Sequence, residues 1–172
     1  MIPKIQKILY ATDLSQNSAY AFRYALNSAI KHNAEIIILH VFEQVLLAKR
    51  AMLDMYLDEE QRKKIFKEGA NLTIDRIRKR LRAFCDNELK DNPEVLNKVI
   101  SIEVCEGFPA EVILKKADDL NCDAIIMGTH GKGIISHTFF GSTAKRVLRR
   151  TRKPVFIIPL PKGETDITFY DE

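Results

Sequence analysis

The sequence predicts an α/β protein with an open, five-stranded parallel sheet and helices on both faces. Five short apolar runs rich in β-branched residues recur along the chain, and several are continuously apolar instead of alternating, as strands covered on both faces should be. Segments with the 3.6-residue apolar period of amphipathic helices separate these runs. The predicted strands are 7–12, 35–42, 98–105, 123–128 and 154–159.

Three of the predicted helices combine an apolar stripe with a start or stop signal. Ser15 is a suitable N-cap for the first, and Pro109 suits the first turn of another after Gly107. Pro154 ends the last one, because the residue before a proline avoids the α region. The expected core faces are Ala19, Phe22, Leu26, Ala29 and Ile30 in 16–32; Ala110, Ile113, Leu114 and Ala117 in 108–121; and Ala144, Val147 and Leu148 in 142–151.

The stretch 43–97 is too long for a simple connection between strands. Within it, 59–90 has the pattern of one long amphipathic helix. Its expected core contacts are Ile65, Phe66, Leu72, Ile77, Leu81 and Phe84. We expect 43–65 to be an insertion that serves as a lid or a dimer element. Met52 and Met55 could contact a ligand or partner, but we favour plain packing.

Length and composition are those of an ordinary globular domain. The chain has 172 residues, of which 46% are hydrophobic and 29% charged. We expect one nucleotide-binding domain over 1–160 and a polar tail over 161–172, loosely ordered unless Phe169 and Tyr170 dock. A net charge of +4 is too weak to indicate a nucleic-acid partner by itself.

Cysteine usage and hydropathy indicate a reducing compartment. Cys85, Cys105 and Cys122 are odd in number and widely spaced, which predicts free thiols in place of disulfides or a zinc site. No apolar run approaches the roughly 20 residues that span a bilayer, and the start lacks the pattern of a secretory signal. We therefore expect a cytoplasmic protein with no membrane contact.

Glycine is concentrated in one window, 128–143, which reads GTHGKGIISHTFFGST and holds four of the seven glycines. The window links a predicted strand to a predicted helix. A helix N-terminus offers free N–H groups and partial positive charge to a phosphate, and glycine allows close backbone approach. The alternative is a strand-end turn at Gly128 with Ser142 or Thr143 as a simple N-cap.

Two well-known phosphate loops are excluded by the order of residues. A P-loop needs G-x-x-x-x-G-K-[ST], and no such string occurs, since Gly133 follows Lys132. A dinucleotide fingerprint needs G-x-G-x-x-G after the first strand, whereas these glycines follow the fourth.

The spacing of Gly128, Gly131, Gly141 and Ser142 resembles the G-x2-G-x9-G-[ST] signature of the universal stress protein (UspA-like) family, in its ATP-binding branch. The resemblance extends to KILYATDLSQNSAYAFRYAL, AEIIILHVFE, EGFPAEVILKKADDLNCDAIIMGTHG and GSTAKRVLRRTRKPVFIIP, which together span nearly the whole chain. It implies a Rossmann-like fold similar to that of the adenine nucleotide α-hydrolases, with strand order 3-2-1-4-5.

The resemblance also implies which residues contact the nucleotide. Asp13, with its neighbours Leu14 and Ser15, matches the family's position near the adenosine, although an N-cap role for Asp13 is the alternative. The backbone at Val41 matches the adenine contact. The implied cofactor-binding set is Ala11, Thr12, Asp13, Val41, Met127, Gly128, Gly131, Lys132, Gly141, Ser142 and Thr143. These positions follow the first, second and fourth strands, whose carboxyl ends form the ligand crevice of such sheets.

Other polar residues are assigned simpler roles. His130 and His137 lie in the glycine window, and we favour solvent over a γ-phosphate for both. Lys132 is a phosphate contact or an exposed loop lysine. A basic cluster lacks interleaved aromatic side chains, so a solvated helix face is favoured over nucleic acid. It comprises Lys145, Arg146, Arg149, Arg150, Arg152 and Lys153.

The sequence shows no nucleophile–base pair, metal triad or paired carboxylates at the site. We therefore expect no catalytic residue and a module that responds to ATP (or ADP/AMP) in stress regulation, with Mg²⁺ held mainly by the phosphates. The resemblance adds slow hydrolysis or autophosphorylation at Ser142 or Thr143, a homodimer through the last strand, and an unidentified protein partner. The alternative is a nucleotide-independent, dimeric interaction module of the same fold.

Two enzyme or switch classes fit the sequence less well. An ATP pyrophosphatase would carry an S-G-G-x-D-S type loop after the first strand, where this chain has ATDLSQNS. A receiver-type phospho-switch would want an acidic pair there and an aspartate at the end of the third strand, which instead ends at Cys105 and Glu106.

Overall fold

A computed structural model describes residues 2–43, 57–130, 140–161 and Phe169. The strands are β1 (Lys7–Thr12), β2 (Glu35–Phe42), β3 (Val99–Glu106), β4 (Ala124–Gly128) and β5 (Val155–Ile158). The helices are α1 (Gln16–His32), α2 (Glu59–Glu88), α3 (Pro93–Leu96), α4 (Pro109–Asp119) and α5 (Ser142–Arg150). The short α3, which begins with a proline at its first position, was not predicted.

The five strands form one parallel sheet in the order β3-β2-β1-β4-β5, which confirms the predicted fold class and order. In register, Thr12 of β1 pairs with His40 of β2, and Ala11 pairs with Met127 of β4. From β1 the chain therefore continues to β2 and β3 on one side of it, and later crosses to β4 and β5 on its other side. This change of direction opens a crevice beside the carboxyl end of β1.

Each strand supplies both faces of the sheet, because successive side chains point in opposite directions. In β1, Ile8 and Tyr10 join the core under α1 and α2, whereas Leu9 and Ala11 join the core under α4 and α5. All four are at most 5% exposed. Burial on both faces explains why these strands lack apolar–polar alternation.

Helix α1 begins and ends where its sequence predicts. The Ser15 side chain accepts a hydrogen bond from the Ser18 N–H, and the Ser18 hydroxyl in turn accepts one from the Ser15 N–H, which makes a capping box. Asn33 ends the helix in the left-handed conformation, with φ 52°. Ala19, Phe22, Leu26 and Ala29 are buried as expected, but Ile30 is 56% exposed, since it lies one residue beyond the buried stripe.

The fully buried side chains of helix α2 lie in its C-terminal half. Leu81 and Phe84 are buried there, and Ile77 packs against the same core. The expected core contacts Ile65 and Leu72 are wrong, with 45% and 69% of their surface exposed. At 1.5 Å per residue, a 30-residue helix is about 45 Å long, which exceeds the length of a strand beneath it.

Some smaller expectations about core contacts are wrong or only partly met, and others concern residues outside the described part of the chain. In α5, Ala144 and Val147 are buried, but Leu148 is 40% exposed. Phe66 is only partly buried. Met52 and Met55 lie outside the described residues.

The end of the chain returns to the core at one residue. Phe169 is 3% exposed, and its ring lies 4.1 Å from that of Phe84, measured between centroids. Arg80 Nη2 donates a hydrogen bond to the Phe169 carbonyl at 3.2 Å. We expected the tail to be loosely ordered unless Phe169 and Tyr170 dock. Phe169 does dock, whereas Tyr170 lies outside the described residues.

Candidate functional site

A cavity of about 340 Å³ lies at the carboxyl ends of β1, β2 and β4. Its walls come from these three strands, from the first turns of α1, α4 and α5, and from the segment after β4. Its position beside the change of direction is the usual ligand site of open α/β sheets. Its volume lies within the range of small-molecule pockets.

Nine of the predicted site residues line this cavity. They are Ala11, Thr12, Asp13, Val41, Met127, Gly128, Gly141, Ser142 and Thr143. Residues 131–139 lie outside the described part of the chain, and so the predicted Gly131 and Lys132, together with His137, have no assigned place.

A tight turn after β1 presents Asp13 to the cavity. Asp13 Oδ1 accepts a hydrogen bond from the Ser15 N–H at 3.1 Å, while Ser15 is the N-cap of α1. The N-cap alternative for Asp13 is therefore wrong. Leu14, between them, has φ 63°, a left-handed conformation that costs a non-glycine residue about 1–2 kcal/mol. Leu14 and Ser15 do not line the cavity but shape the turn that does.

The end of β1 is held by buried polar groups. Thr12 Oγ1 accepts a hydrogen bond from the Leu14 N–H at 3.1 Å and lies 2.9 Å from Ser18 Oγ. His40 Nδ1 lies 2.8 Å from the Thr12 carbonyl oxygen, and because a carbonyl can only accept, Nδ1 carries the proton. The Tyr10 hydroxyl donates to the Ser18 carbonyl, and burial is the main cause that raises the Tyr10 pKa. These contacts fix the backbone beside Asp13.

Gly128, at the end of β4, leaves room for a side chain from α1. A Cβ built on Gly128 would lie 2.7 Å from Asn17 Oδ1 and 2.9 Å from Asn17 Cγ. Glycine was expected here for a ligand's approach to the backbone. The structure shows that the missing side chain also admits the buried Asn17 amide, which is 6% exposed.

The Asn17 amide joins three segments. Its Nδ2 donates to the Ile158 carbonyl at 3.1 Å, and its Oδ1 accepts from the His130 N–H at 2.9 Å and from the Thr129 hydroxyl at 3.1 Å. Thr129 N–H also donates to the Ile158 carbonyl, at 3.1 Å. The first turn of α1 thereby holds both the end of β5 and the start of the segment after β4.

Helix α5 begins at the cavity without a side-chain cap. Its N-cap is Gly141, so the alternative that Ser142 or Thr143 caps the helix is wrong. The Gly141 N–H donates to the Thr129 carbonyl at 2.7 Å, which brings the start of α5 against the end of β4. The following N–H groups have no intrahelical acceptor and lie beside a cavity lined by Ser142 and Thr143. This is a favourable position for an anion.

His130 is not the solvent-facing residue that we expected. It lines the cavity and is partly buried. Its Nδ1 lies 2.8 Å from Thr129 Oγ1, whereas its Nε2 is buried and has no hydrogen-bond partner in the part of the chain described. A buried polar atom left unpaired is energetically costly.

Part of the basic cluster is paired with acidic residues. Arg150 forms an ion pair with Glu111 of α4. Lys153 Nζ lies 3.4 Å from Asp118 Oδ1 and donates to the Cys122 carbonyl at 2.8 Å. These contacts link α5 and the segment after it to α4, as a solvated structural face would.

Several lining residues were not among the predicted site residues. Thr129 and His130 follow directly after a predicted strand, and that position was the available signal for them. Pro109 and Ile113 belong to α4, which packs against α5, so only the tertiary fold brings them to the cavity. The unpredicted lining residues are Ser18, Leu39, Pro109, Ile113, Thr129, His130 and Ala144.

The described residues offer neither a metal cluster nor a membrane-spanning helix. In residues 2–43, 57–130, 140–161 and 169, no group of three or more His, Cys, Asp or Glu side chains could hold a metal. None of the helices described is both long and apolar enough to cross a bilayer.

Comparison with known proteins identifies the family that has this architecture. The Universal stress protein family model matches residues 4–159. Universal stress protein MJ0577 of Methanocaldococcus jannaschii is 31% identical over 153 residues, which cover 89% of this chain and 94% of that protein. The solved structure of MJ0577 superposes with a TM-score of 0.63 at 28% identity, covering 94% of this chain and 100% of that one.

Two less similar structures share the fold. One is a universal stress protein in complex with cAMP, with TM-score 0.51, 20% identity, and coverage of 91% of this chain and 98% of that one. The other, from Arabidopsis thaliana, has AMP bound, with TM-score 0.55, 14% identity, and coverage of 91% and 93%. From the match over nearly its whole length, the chain belongs to the universal stress protein family.

Proposed function

We propose that this protein binds an adenine nucleotide, ATP or its products ADP and AMP, in the cavity between β1 and β4. It would act in the cytoplasm as a regulatory module of a stress response. The observation that carries the proposal is the convergence of nine predicted nucleotide-site residues on one cavity, beside the uncapped start of α5. Two proteins of the same fold have cAMP and AMP bound, which supports the proposal.

The arrangement suggests how the nucleotide lies. The free N–H groups of α5 and the hydroxyls of Ser142 and Thr143 suit the phosphates. Asp13, at the end of β1, suits the ribose hydroxyls, and the backbone at Val41 suits the adenine edge. Mg²⁺ would be held mainly by the phosphates and water, since the described residues supply no metal cluster.

Regulation through binding, in place of turnover, fits the described part of the cavity. Asp13 and His130 are its only titratable lining residues there, and no hydrogen bond between them is found. Weak hydrolysis or autophosphorylation at Ser142 or Thr143 would be secondary to a change that a partner protein reads.

The edge strand β5 is the proposed dimer interface. It lies at the end of the sheet, and its Phe156 is 41% exposed. An edge strand presents unpaired backbone groups, and pairing between two copies would satisfy them. Sedimentation equilibrium of wild type and Phe156→Lys tests this, with Phe108→Lys as control at a 69% exposed site remote from β5. A monomeric wild type would contradict it.

Nucleotide binding is tested by native mass spectrometry and by calorimetric titration with ATP·Mg²⁺. Gly141→Trp should abolish binding, because an indole at the start of α5 fills the phosphate position. Gly69→Trp is the matched control, since a Cβ built there meets nothing within 4 Å apart from its chain neighbours and the adjacent backbone of its own helix. If folded wild type binds neither ATP, ADP nor AMP, the second candidate applies, a dimeric interaction module that needs no nucleotide.

A further inference from the structure

We propose that Asn17 is a positioning residue of the nucleotide site, which sets the affinity for nucleotide although its own side chain does not line the cavity. It does so by holding the end of β4 and, through Thr129, the start of α5. This inference rests on the proposed function above and adds to it a residue that acts through others. The Asn17 side chain is buried, with 6% of its surface exposed.

The first turn of α1, which carries Asn17, is fixed by hydrogen bonds of its own. Ser15 and Ser18 form the capping box at its start. The Ser18 carbonyl also accepts a hydrogen bond from the hydroxyl of Tyr10, a fully buried residue of β1. The backbone of Asn17 therefore belongs to a turn that is attached to the sheet, and its amide extends from a rigid base.

The Asn17 amide forms hydrogen bonds on both of its sides. Nδ2 donates to the Ile158 carbonyl at 3.1 Å, and the same carbonyl accepts from the Thr129 N–H at 3.1 Å. Oδ1 accepts from the His130 N–H at 2.9 Å and from the Thr129 hydroxyl at 3.1 Å. One side chain thus holds two consecutive residues after β4. Without it, two donors lose their acceptor and the segment gains freedom.

Thr129 transmits this restraint to the start of α5. Its carbonyl accepts a hydrogen bond from the N–H of Gly141, the N-cap of that helix, at 2.7 Å. The next two residues, Ser142 and Thr143, line the cavity. A site that is already ordered loses less conformational entropy when its ligand binds. If removal of Asn17 lowers the fraction of molecules in the binding-competent arrangement, the apparent dissociation constant rises in inverse proportion.

Calorimetric titration of the full-length protein with ATP·Mg²⁺ tests the effect on affinity. Asn17→Ala should weaken ATP binding about tenfold, at a temperature where circular dichroism shows the variant to be fully folded. Phe169→Ala is the control for lost stability, because neither Phe169 nor the Phe84 ring on which it packs lines the cavity. This control should bind ATP as wild type does.

Gly128→Ala separates the effect of Asn17 from direct obstruction of the ligand, since Gly128 itself lines the cavity. The three atoms nearest to a Cβ built on Gly128 all belong to the Asn17 amide, at 2.7, 2.9 and 3.3 Å. These atoms are absent in Asn17→Ala, so the added methyl group has room. Gly128→Ala should therefore weaken ATP binding in the wild-type background and cause little further loss in Asn17→Ala. An equal loss in both backgrounds would mean that the methyl group acts on the ligand directly, and the Asn17 assignment would be wrong.

Amide hydrogen exchange gives a reading that needs no nucleotide. The N–H groups of Gly141 and Thr151 are hydrogen-bonded at opposite ends of α5. Asn17→Ala should speed exchange at Gly141 about tenfold relative to Thr151, because Thr129 holds the start of the helix and not its far end. Gly128→Ala, which displaces the same amide, should change the ratio in the same direction, so the test does not depend on the folding of one variant.

The outcomes distinguish this assignment from the proposed function. If the ratio of the two exchange rates does not change, or if folded Asn17→Ala binds ATP with wild-type affinity, Asn17 does not position the site. Nucleotide binding by wild type is unaffected by that result. If folded wild type binds neither ATP, ADP nor AMP, both the proposed function and this assignment are overturned.

Discussion

The Asn17 amide occupies the space that a side chain on Gly128 would need, with 2.7 Å between Oδ1 and the position of a Cβ. Gly128 and Asn17 lie on different elements, and their proximity joins α1 to the end of β4. We therefore expect Gly128→Ala to displace Asn17 and lower the free energy of unfolding by about 1–3 kcal/mol. Denaturant unfolding measures this.

The control is Gly69→Ala, on an exposed part of α2 with open space around the glycine. There the same substitution should raise the free energy of unfolding by about 0.5–1 kcal/mol, because alanine favours helix more than glycine does. Equal effects at both sites would mean that Gly128 has no steric constraint.

Asn17→Ala should cost about 2–4 kcal/mol of stability. The substitution leaves the buried Thr129 hydroxyl and the His130 N–H without their shared acceptor. Asn27→Ala, at an exposed position of the same helix, should change stability by less than about 0.5 kcal/mol. In the double variant with Gly128→Ala, the two costs should be less than additive, since both remove the same contact.

Phe169→Ala should lower the free energy of unfolding by about 3 kcal/mol, although only three residues follow Phe169 in the sequence. The cause is loss of a buried ring that packs on Phe84. Phe108→Ala, at a ring that is 69% exposed, is the control and should cost far less. Thermal unfolding of both variants would show whether the tail is part of the cooperative unit.

Stability should fall at high pH partly through Cys85. Burial, with smaller effects of Asp86 and Glu88, raises its pKa from 9.0 to about 12. A raised pKa in the folded state means that the stabilising contribution is present below pH 9 and is lost as pH rises toward 12. The loss is at most about 1.4 kcal/mol per pH unit for one thiol.

Cys85→Ala should therefore reduce the slope of stability against pH in that window, whatever it does to stability at pH 7. Cys105→Ala is the comparison, because Cys105 is only partly buried and Lys116 opposes the effect of burial on its pKa. If the two variants have the same slope as wild type, burial of Cys85 does not control the pH dependence.

Local pattern was sufficient to predict the strands and most of the helices. The bounds of β1 and β2 coincide with the predicted ones, because burial on both faces gives each strand a continuous apolar stretch, Ile8–Ala11 and Ile36–Leu39. Ser15 and Pro109 marked helix starts, since capping depends on groups within a few residues of each other. The family resemblance that the glycine spacing carries implied nine of the residues that line the cavity.

The amphipathic pattern could not tell which helix residues would find a partner. Leu72 and Leu81 both belong to the apolar stripe of α2, but Leu81 is buried whereas Leu72 is 69% exposed. Phe169 looked like part of a polar tail, and its burial depends on a groove formed beside Phe84, far away in sequence.

Only the tertiary structure decided how Asn17, Thr129 and His130 interact. Asn17 lies more than a hundred residues from the other two, and its neighbours in sequence give no sign of a buried amide. Hydrogen bonds between distant segments depend on distances and angles that the sheet order establishes, whereas caps and strands depend on adjacent residues. The chain's sequence thus determined the architecture and the edge that bears the cavity, and the packing of α1 against β4 and β5 determined which polar atoms meet there.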